Sequence, residues 1–303
     1  MEACSAMNKA SIDIGSNSLL LTILDDNGTT LVDEARVVQL GKGLGDRGQF
    51  LPDRMKAAEV VFEEYVALAK AHDVAPYTIQ AIATSAARRA MNARTWFSRV
   101  YKKFGIRVRI ISGEEEARLT WAGASGGLPL PNDDTLVIDL GGGSTELVLG
   151  QGKNIHLRTS LEVGSVRLTE AFLKDDPYSA HDLAVMKNYL DTVIAEIQLD
   201  PKPKVVIGVA GTVTTLAATK LGLTQFNRDA IHGAVLTRGD LSRFEEQFLN
   251  TTSDDRLSLV PTSPKRADFL LAGVAILDRI LCAAQSTELI SSNGGIRYGV
   301  LRS

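Results

Sequence analysis

The string I-D-I-G-S-N-S-L at residues 12–19 returns as I-D-L-G-G-G-S-T at residues 138–145. Asp13, Gly15 and Ser18 fall on Asp139, Gly141 and Ser144 at a constant offset of 126, and each string joins two apolar runs. A repeat of domain-sized period favours a duplicated domain over a solenoid. The 303 residues leave room for two such domains, and a composition of 45% hydrophobic and 23% charged residues belongs to a globular chain, not a disordered or fibrous one.

Strand-like and helix-like patterns alternate through both halves, which predicts an α/β fold. In the first half the apolar runs 10–14, 19–24 and 29–40 read as strands. A helical spacing over 52–70 starts with Pro52 and Asp53. Strands at 78–83 and 107–111 flank one further helix, and a helix over 114–124 begins after the capping residue Ser112. The composition of 123–131, GASGGLPLP, is that of a linker. The pattern then restarts with strands at 135–140, 145–149, 155–160 and 204–209. Helices are expected at 165–173, 180–198, 212–220, 239–249 and 264–283. A strand at 288–291, a Gly-Gly turn and a short helix close the chain. These features predict domains of 1–124 and 125–293.

Several classes of function are excluded early. Cys4 and Cys282 lie far apart, and four scattered histidines, His72, His156, His181 and His232, give no zinc spacing and no disulfide framework. His232, in an apolar setting, reads as a core residue. The opening MEACSAMNK has no signal-peptide run, and the longest apolar stretch, 269–277, stops at Asp278 and Arg279. A cytoplasmic protein with no membrane partner is expected. There is no GxxxxGK[ST], GxSxG or HExxH. The string Gly43-Leu-Gly45-Asp-Arg-Gly48 matches GxGxxG in form only, because four residues separate it from the next helix; it reads as a surface loop.

The net charge of −3 hides an asymmetry: residues 74–113 contain eight Arg and Lys and no Asp or Glu. Such a stretch attracts anions. It lacks the interleaved aromatics and motifs of a nucleic-acid binder, so no specific nucleic-acid partner is expected, and a phosphate-rich molecule fits better. Three acids, Glu114, Glu115 and Glu116, come immediately after it and suggest a base or a metal.

The repeated Asp-x-Gly-x-x-Ser turn has a chemical logic. Its glycines let successive N–H groups cradle a phosphate, and the Asp that ends the preceding strand can hold a divalent cation or its waters. Asp13 is such a residue. A third turn, Gly208-Val-Ala-Gly211-Thr212, leads from an apolar run into a helix and offers N–H groups and hydroxyls to an anion. A fourth, Asn293-Gly-Gly-Ile-Arg297, adds a guanidinium.

Taken together, residues 12–18, 84–90, 112–118, 138–146 and 294–300 resemble the exopolyphosphatase / guanosine pentaphosphate phosphohydrolase family. The carrying motifs are I-S-G-E-E-E-A-R and D-L-G-G-G-S-T-E. The resemblance spans essentially the whole chain and matches the short members of two domains. It implies two duplicated ribonuclease H-like domains of the actin, sugar-kinase and Hsp70 superfamily, an interdomain cleft holding the site, and residues 294–303 packed back on the first domain. It also implies that Glu116 is the base that activates water and Arg88 the arginine of the T-S-A-x-R-x-A motif. Asn17, flanked by Ser16 and Ser18 after Gly15, would contact phosphate, and Gly141, Gly142, Gly143 and Ser144 would form the second phosphate loop. Asp139 and Glu146 would associate with Mg²⁺. Glu115, one position earlier, is the alternative base.

The reaction expected from this resemblance is removal of terminal phosphates from inorganic polyphosphate. Hydrolysis of guanosine pentaphosphate is the nearest alternative. An acceptor-dependent kinase and a non-catalytic sensor of polyphosphate or alarmone (guanosine penta- or tetraphosphate) are more distant ones. Short members of such families often dimerise, so the resemblance also admits a homodimer.

Overall fold

A computed structural model describes residues 8–152 and 154–302; Cys4 and the opening residues lie outside them. Contacts divide the chain into two units. One runs up to Gly123 and resumes at Ile296, and the other is Ala124–Gly295.

The first unit contains β1 (Lys9–Ile14), β2 (Ser18–Leu24), β3 (Thr30–Val37), α1 (Leu44–Arg47), α2 (Pro52–Ala71), β4 (Gln80–Ala83), α3 (Ser85–Arg89), α4 (Ala93–Phe104), β5 (Val108–Ile110) and α5 (Gly113–Ser125). Its sheet order is β3-β2-β1-β4-β5, with β1–β2–β3 antiparallel and β1, β4 and β5 parallel. The second unit contains β6 (Thr135–Leu140), β7 (Thr145–Gln151), β8 (Asn154–Leu161), α6 (Ser165–Phe172), α7 (Ala180–Ala195), β9 (Val205–Val209), α8 (Ala210–Lys220), α9 (Arg228–Ile231), β10 (Val235–Thr237), α10 (Arg238–Leu249), α11 (Ser253–Leu259), α12 (Leu270–Ala283) and β11 (Glu288–Ser291). Its order, β8-β7-β6-β9-β11, repeats the first with the same strand directions, and β10 is added at the edge beyond β11. The chain is therefore a duplicated α/β protein, each unit with the 3-2-1-4-5 strand order of the ribonuclease H-like fold. The last helix, α13 (Ile296–Arg302), belongs to the first unit.

Local chemistry explains most of the elements. β1 and β6, central in their sheets, are near-continuous apolar runs because both faces are covered. In α4, Ala93, Trp96, Phe97 and Val100 repeat at i, i+3, i+4 and i+7 and are buried, the stripe of a helix with one wet face. Trp96 is fully buried and meets Phe50 edge-on at 5.7 Å, so truncation to Ala should cost about 3–5 kcal/mol. α12 is buried at nearly every position and forms the spine of the second core.

Four sequence expectations are corrected. The single helix between β4 and β5 is two, α3 and α4, because the Asn92 side chain bonds both the N–H and the C=O of Phe50 and turns the chain there. The GxGxxG-like loop holds the one-turn helix α1, with Leu44 buried beneath it. The helix expected over 264–283 opens as a 3₁₀ turn, Pro264–Phe269, before α12. β10 and α11 carry too few residues to show a period and were missed.

α13 packs on β1 and β2. A Cβ on Gly299 would fall 1.8 Å from the Leu119 carbonyl oxygen, so only glycine permits this crossing with α5. Arg297 Nη1 pairs with Asp33 at 2.5 Å, the Tyr298 hydroxyl donates to Asp33 at 3.0 Å, and the Ser11 hydroxyl donates to the Arg297 carbonyl.

Candidate active site

Parallel strands bring the segments beyond their C-terminal ends to one edge of a sheet. In the first unit β1, β4 and β5 run side by side in register, Ile14 beside Ala83 and Ala83 beside Ile110. The β1–β2 turn, α3 and the start of α5 therefore emerge together. They carry Asp13 with Gly15–Ser18, Arg88, and Glu116. The second unit does the same with β6, β9 and β11, which deliver Asp139 with Gly141–Ser144, Gly211 with Thr212, and the Asn293–Gly295 turn.

The two repeated turns close identically. Gly15 N–H donates to the Ser18 carbonyl at 3.0 Å, and Gly141 N–H donates to that of Ser144 at 3.0 Å. In the first turn, Ser16 and Asn17 are exposed at its tip, and their carbonyls accept from Gly41, Val38 and Gln39. These bonds fix the turn from behind and leave its outer side to solvent.

Glu116 Oε2 accepts from Arg88 Nη1 at 2.7 Å, and the same nitrogen donates to the Ile111 carbonyl at 3.0 Å. Ser112 caps α5 by accepting from the Glu115 N–H at 3.1 Å. Glu115 itself is turned to Arg109, at 3.0 Å. Of the two candidate bases, Glu116 is the one joined to Arg88 and electrically coupled to Asp13. Burial pushes the Asp13 carboxyl up to about 7, with the nearby Glu116 charge adding to the rise and Arg297 opposing it. Asp13 Oδ1 is buried without a hydrogen-bond partner among the described residues, a costly arrangement that invites a cation or a proton. Arg297 contributes through its charge, since its guanidinium is already engaged by Asp33 and lies near the Leu21 carbonyl.

In the second unit Asp139 and Glu146 are register partners across β6 and β7, so both carboxylates stand on one face of the sheet. Glu146 Oε1 accepts from the hydroxyls of Ser144 and Ser160, each at 2.8 Å. The glycine loop is held by α6. Ser165 N–H donates to the Gly141 carbonyl, Arg167 N–H to that of Gly142, and Arg167 Nε to that of Gly143. Gly164 makes this approach feasible, because a Cβ there would lie 2.5 Å from backbone atoms of Gly142 and Gly143. At the N-terminal turn of α8, the Arg266 guanidinium occupies the space beside Gly211, where a Cβ would fall 2.2 Å from its central carbon. Thr212 is buried and packs on Gly273. His232 is half-buried, and its Nδ1 accepts from the Asn293 N–H at 3.3 Å, which is a structural role.

Sequence reading missed Ser160, Gly164, Arg167 and Arg266. Hairpin alternation places Ser160 opposite Glu146; nothing local marks Arg266, which comes from 55 positions downstream of Gly211. Among the described residues no three His, Cys, Asp or Glu gather into a metal cage, and no helix is long and apolar enough to cross a membrane.

Comparison with known proteins identifies the family. Exopolyphosphatase 2 of Mycobacterium tuberculosis is 31% identical over 287 residues, 89% of each chain. A guanosine-5'-triphosphate,3'-diphosphate pyrophosphatase of Photobacterium profundum is 28% identical over 96% of this chain, which spans only 58% of that protein. The crystal structure of the Aquifex aeolicus member of the Ppx/GppA family superposes with a TM-score of 0.86 at 33% identity, covering 97% of this chain and 96% of that one. The sequence profile of the Ppx/GppA phosphatase family matches residues 22–303, and the chain belongs to that family.

Proposed function

We propose that this protein is an exopolyphosphatase that hydrolyses the terminal phosphoanhydride bond of inorganic polyphosphate and releases orthophosphate. The observation that carries the reading is Glu116, a carboxylate anchored by Arg88 at the sheet edge where the Gly15–Ser18 turn emerges. Phosphoanhydride hydrolysis needs an oriented water and neutralised charge more than a covalent nucleophile. Glu116 takes the proton of the attacking water as its oxygen bonds to the terminal phosphorus, and the shortened chain leaves on its bridging oxygen. Backbone N–H groups of the Gly15–Ser18 turn and the Arg88 guanidinium stabilise the charge on the transferring phosphoryl group.

Magnesium fits the donor set. Mg²⁺ is commonly bound by one or two carboxylates with phosphates and waters completing its shell, and Asp139 and Glu146 are two carboxylates facing each other across a strand pair. Bound there, it would supply charge neutralisation for phosphate held by the Gly141–Ser144 loop of the same unit.

Support for polyphosphate over guanosine pentaphosphate comes from identity: the exopolyphosphatase relative is 31% identical, the guanosine-5'-triphosphate,3'-diphosphate pyrophosphatase 28%. The test is phosphate release with magnesium from both substrates in parallel. Release from polyphosphate alone supports the reading. Release from the guanosine compound alone replaces it with the second activity, and acceptor-dependent turnover of ATP would replace it with a kinase.

A further inference from the structure

The acid-free stretch 74–113 is distributed over α3, α4 and β5 in the first unit, and its cations divide into two groups. Lys103 and Arg109 are compensated by Glu59 and Glu115 from outside the stretch, and Arg88 by Glu116. Arg89, Arg94, Arg99, Lys102 and Arg107 form no ion pair among the described residues, and all five are exposed; of these, Arg94 and Lys102 share one row of α4. They are eight positions apart in α4, with Ser98 midway, so they stand on one row of the helix about 12 Å apart.

Arg94 is badly placed for the fold alone. It lies in the first turn of α4, where the helix dipole disfavours a cation, and no acid sits in that turn to relieve it. The Asn92 side chain, at the N-cap position, is committed to Phe50 and makes no capping bond. A cavity of about 450 Å³ opens between Arg94 and Arg88, lined also by Ala87, Met91, Ile111 and Ser112. The Arg88–Glu116 pair thus adjoins this cavity, and Arg94 on its wall begins the α4 row that continues to Lys102, all within one unit.

We propose that the Arg94–Lys102 row of α4 is an accessory binding track for the distal part of a linear phosphate polymer whose terminal phosphate is presented at Glu116. The proposal rests on the polyphosphatase reading and adds to it a surface that favours long chains over short ones. A short oligophosphate ends in the cavity and never meets Lys102; a long chain gains contacts along the row. Nucleic acid fits less well, because base stacking needs free aromatic faces, and Tyr101, the one exposed ring on this helix, has the Arg107 guanidinium over it at 5.6 Å.

The test is equilibrium binding of long-chain polyphosphate and of tripolyphosphate to wild type, to Arg94→Gln/Lys102→Gln and to the charge-keeping Arg94→Lys/Lys102→Arg, each over a salt series, with phosphate release measured separately. The neutral pair should weaken long-chain binding about tenfold more than tripolyphosphate binding and flatten the salt dependence of the long chain by one to two units of log–log slope, roughly the yield of two lost phosphate contacts. The charge-keeping pair should restore both. Equal losses for the two ligands, or none, overturn the track. So does displacement of the long chain by single-stranded RNA at matched phosphate concentration, which would make the row a nucleic-acid surface. Long-chain binding with the expected variant pattern but no phosphate release would keep the track and remove the hydrolase reading. Release with unaltered variant binding would do the reverse.

Discussion

Arg88 Nη1 donates to both Glu116 Oε2, at 2.7 Å, and the Ile111 carbonyl, at 3.0 Å, so a single nitrogen ties Glu116 of α5 to the strand end that precedes it. In the proposed reaction Arg88 would both aim Glu116 and supply charge. Glu116→Gln should reduce phosphate release by at least about 10²-fold with little change in thermal stability. Arg88→Gln should also lose activity, and the double variant should lose far less than the sum of the two, because the pair acts as a unit. Steady-state kinetics on the four proteins reads this directly; full activity of Glu116→Gln would move the base to Glu115.

Asp139 and Glu146 stand opposite each other, and like charges so placed destabilise a strand pair by a few tenths to about 1 kcal/mol. Removing divalent cations with a chelator should abolish phosphate release, and added magnesium should restore it. Glu146→Gln should raise the magnesium concentration for half-maximal activity by about tenfold or more. In metal-free buffer the same variant should melt no lower than wild type, since Gln retains an acceptor for the Ser144 and Ser160 hydroxyls.

Gly164→Ala places a methyl group within 2.5 Å of backbone at Gly142 and Gly143. No side chain can rotate away to relieve this, so the glycine loop must shift. A stability loss of about 1–3 kcal/mol is expected. Activity should fall further than that loss explains if, as proposed, the displaced N–H groups are those offered to phosphate. Denaturant titration alongside kinetics at a temperature where the variant is folded separates the two effects.

Asp240 is buried, which by itself would raise its pKa, but hydrogen bonds from Lys220, the Thr237 N–H and hydroxyl, and Arg243 outweigh burial and hold its carboxyl well below the usual range. A depressed carboxylate contributes stability that is fully present above its unfolded pKa of about 4 and is lost as pH falls through the folded value. Asp240→Asn should therefore cost about 2–4 kcal/mol near neutrality, since two cations lose their partner. The gap from wild type should narrow below about pH 4. Urea denaturation at a series of pH values checks the sign; a gap that widens in acid would show that the charge plays no part.

The duplicated architecture was legible because the repeat is local: I-D-I-G-S-N-S-L and I-D-L-G-G-G-S-T each encode a strand end, a glycine turn and the next strand in eight residues. Asp13 was named from the first of these strings, while Glu116, Asp139 and Glu146 came with the family resemblance of I-S-G-E-E-E-A-R and D-L-G-G-G-S-T-E, and the strand order then gathered each unit's share at one sheet edge. What stayed hidden was set by distant partners. The seat of Arg266 beside Gly211, the fit of Gly164 against Gly142 and the capture of Arg297 by Asp33 all depend on contacts that no window of sequence contains. The break between α3 and α4 was missed for the same reason, since Asn92 turns the chain by bonding Phe50, 42 positions earlier.

The seat of Gly299 against the Leu119 carbonyl also bears on the order in which the protein is made. The second unit is one uninterrupted stretch, complete in sequence at Gly295, whereas the first lacks α13 until residues 296–302 have left the ribosome. Domains ordinarily mature from the N-terminus during synthesis. Here the half translated first must wait, with the β1 and β2 surface that receives α13 uncovered, until the half translated second has been completed. Chain termination just short of α13 would therefore leave an intact second half joined to a first half with part of its core exposed to water, a marked target for quality-control proteases.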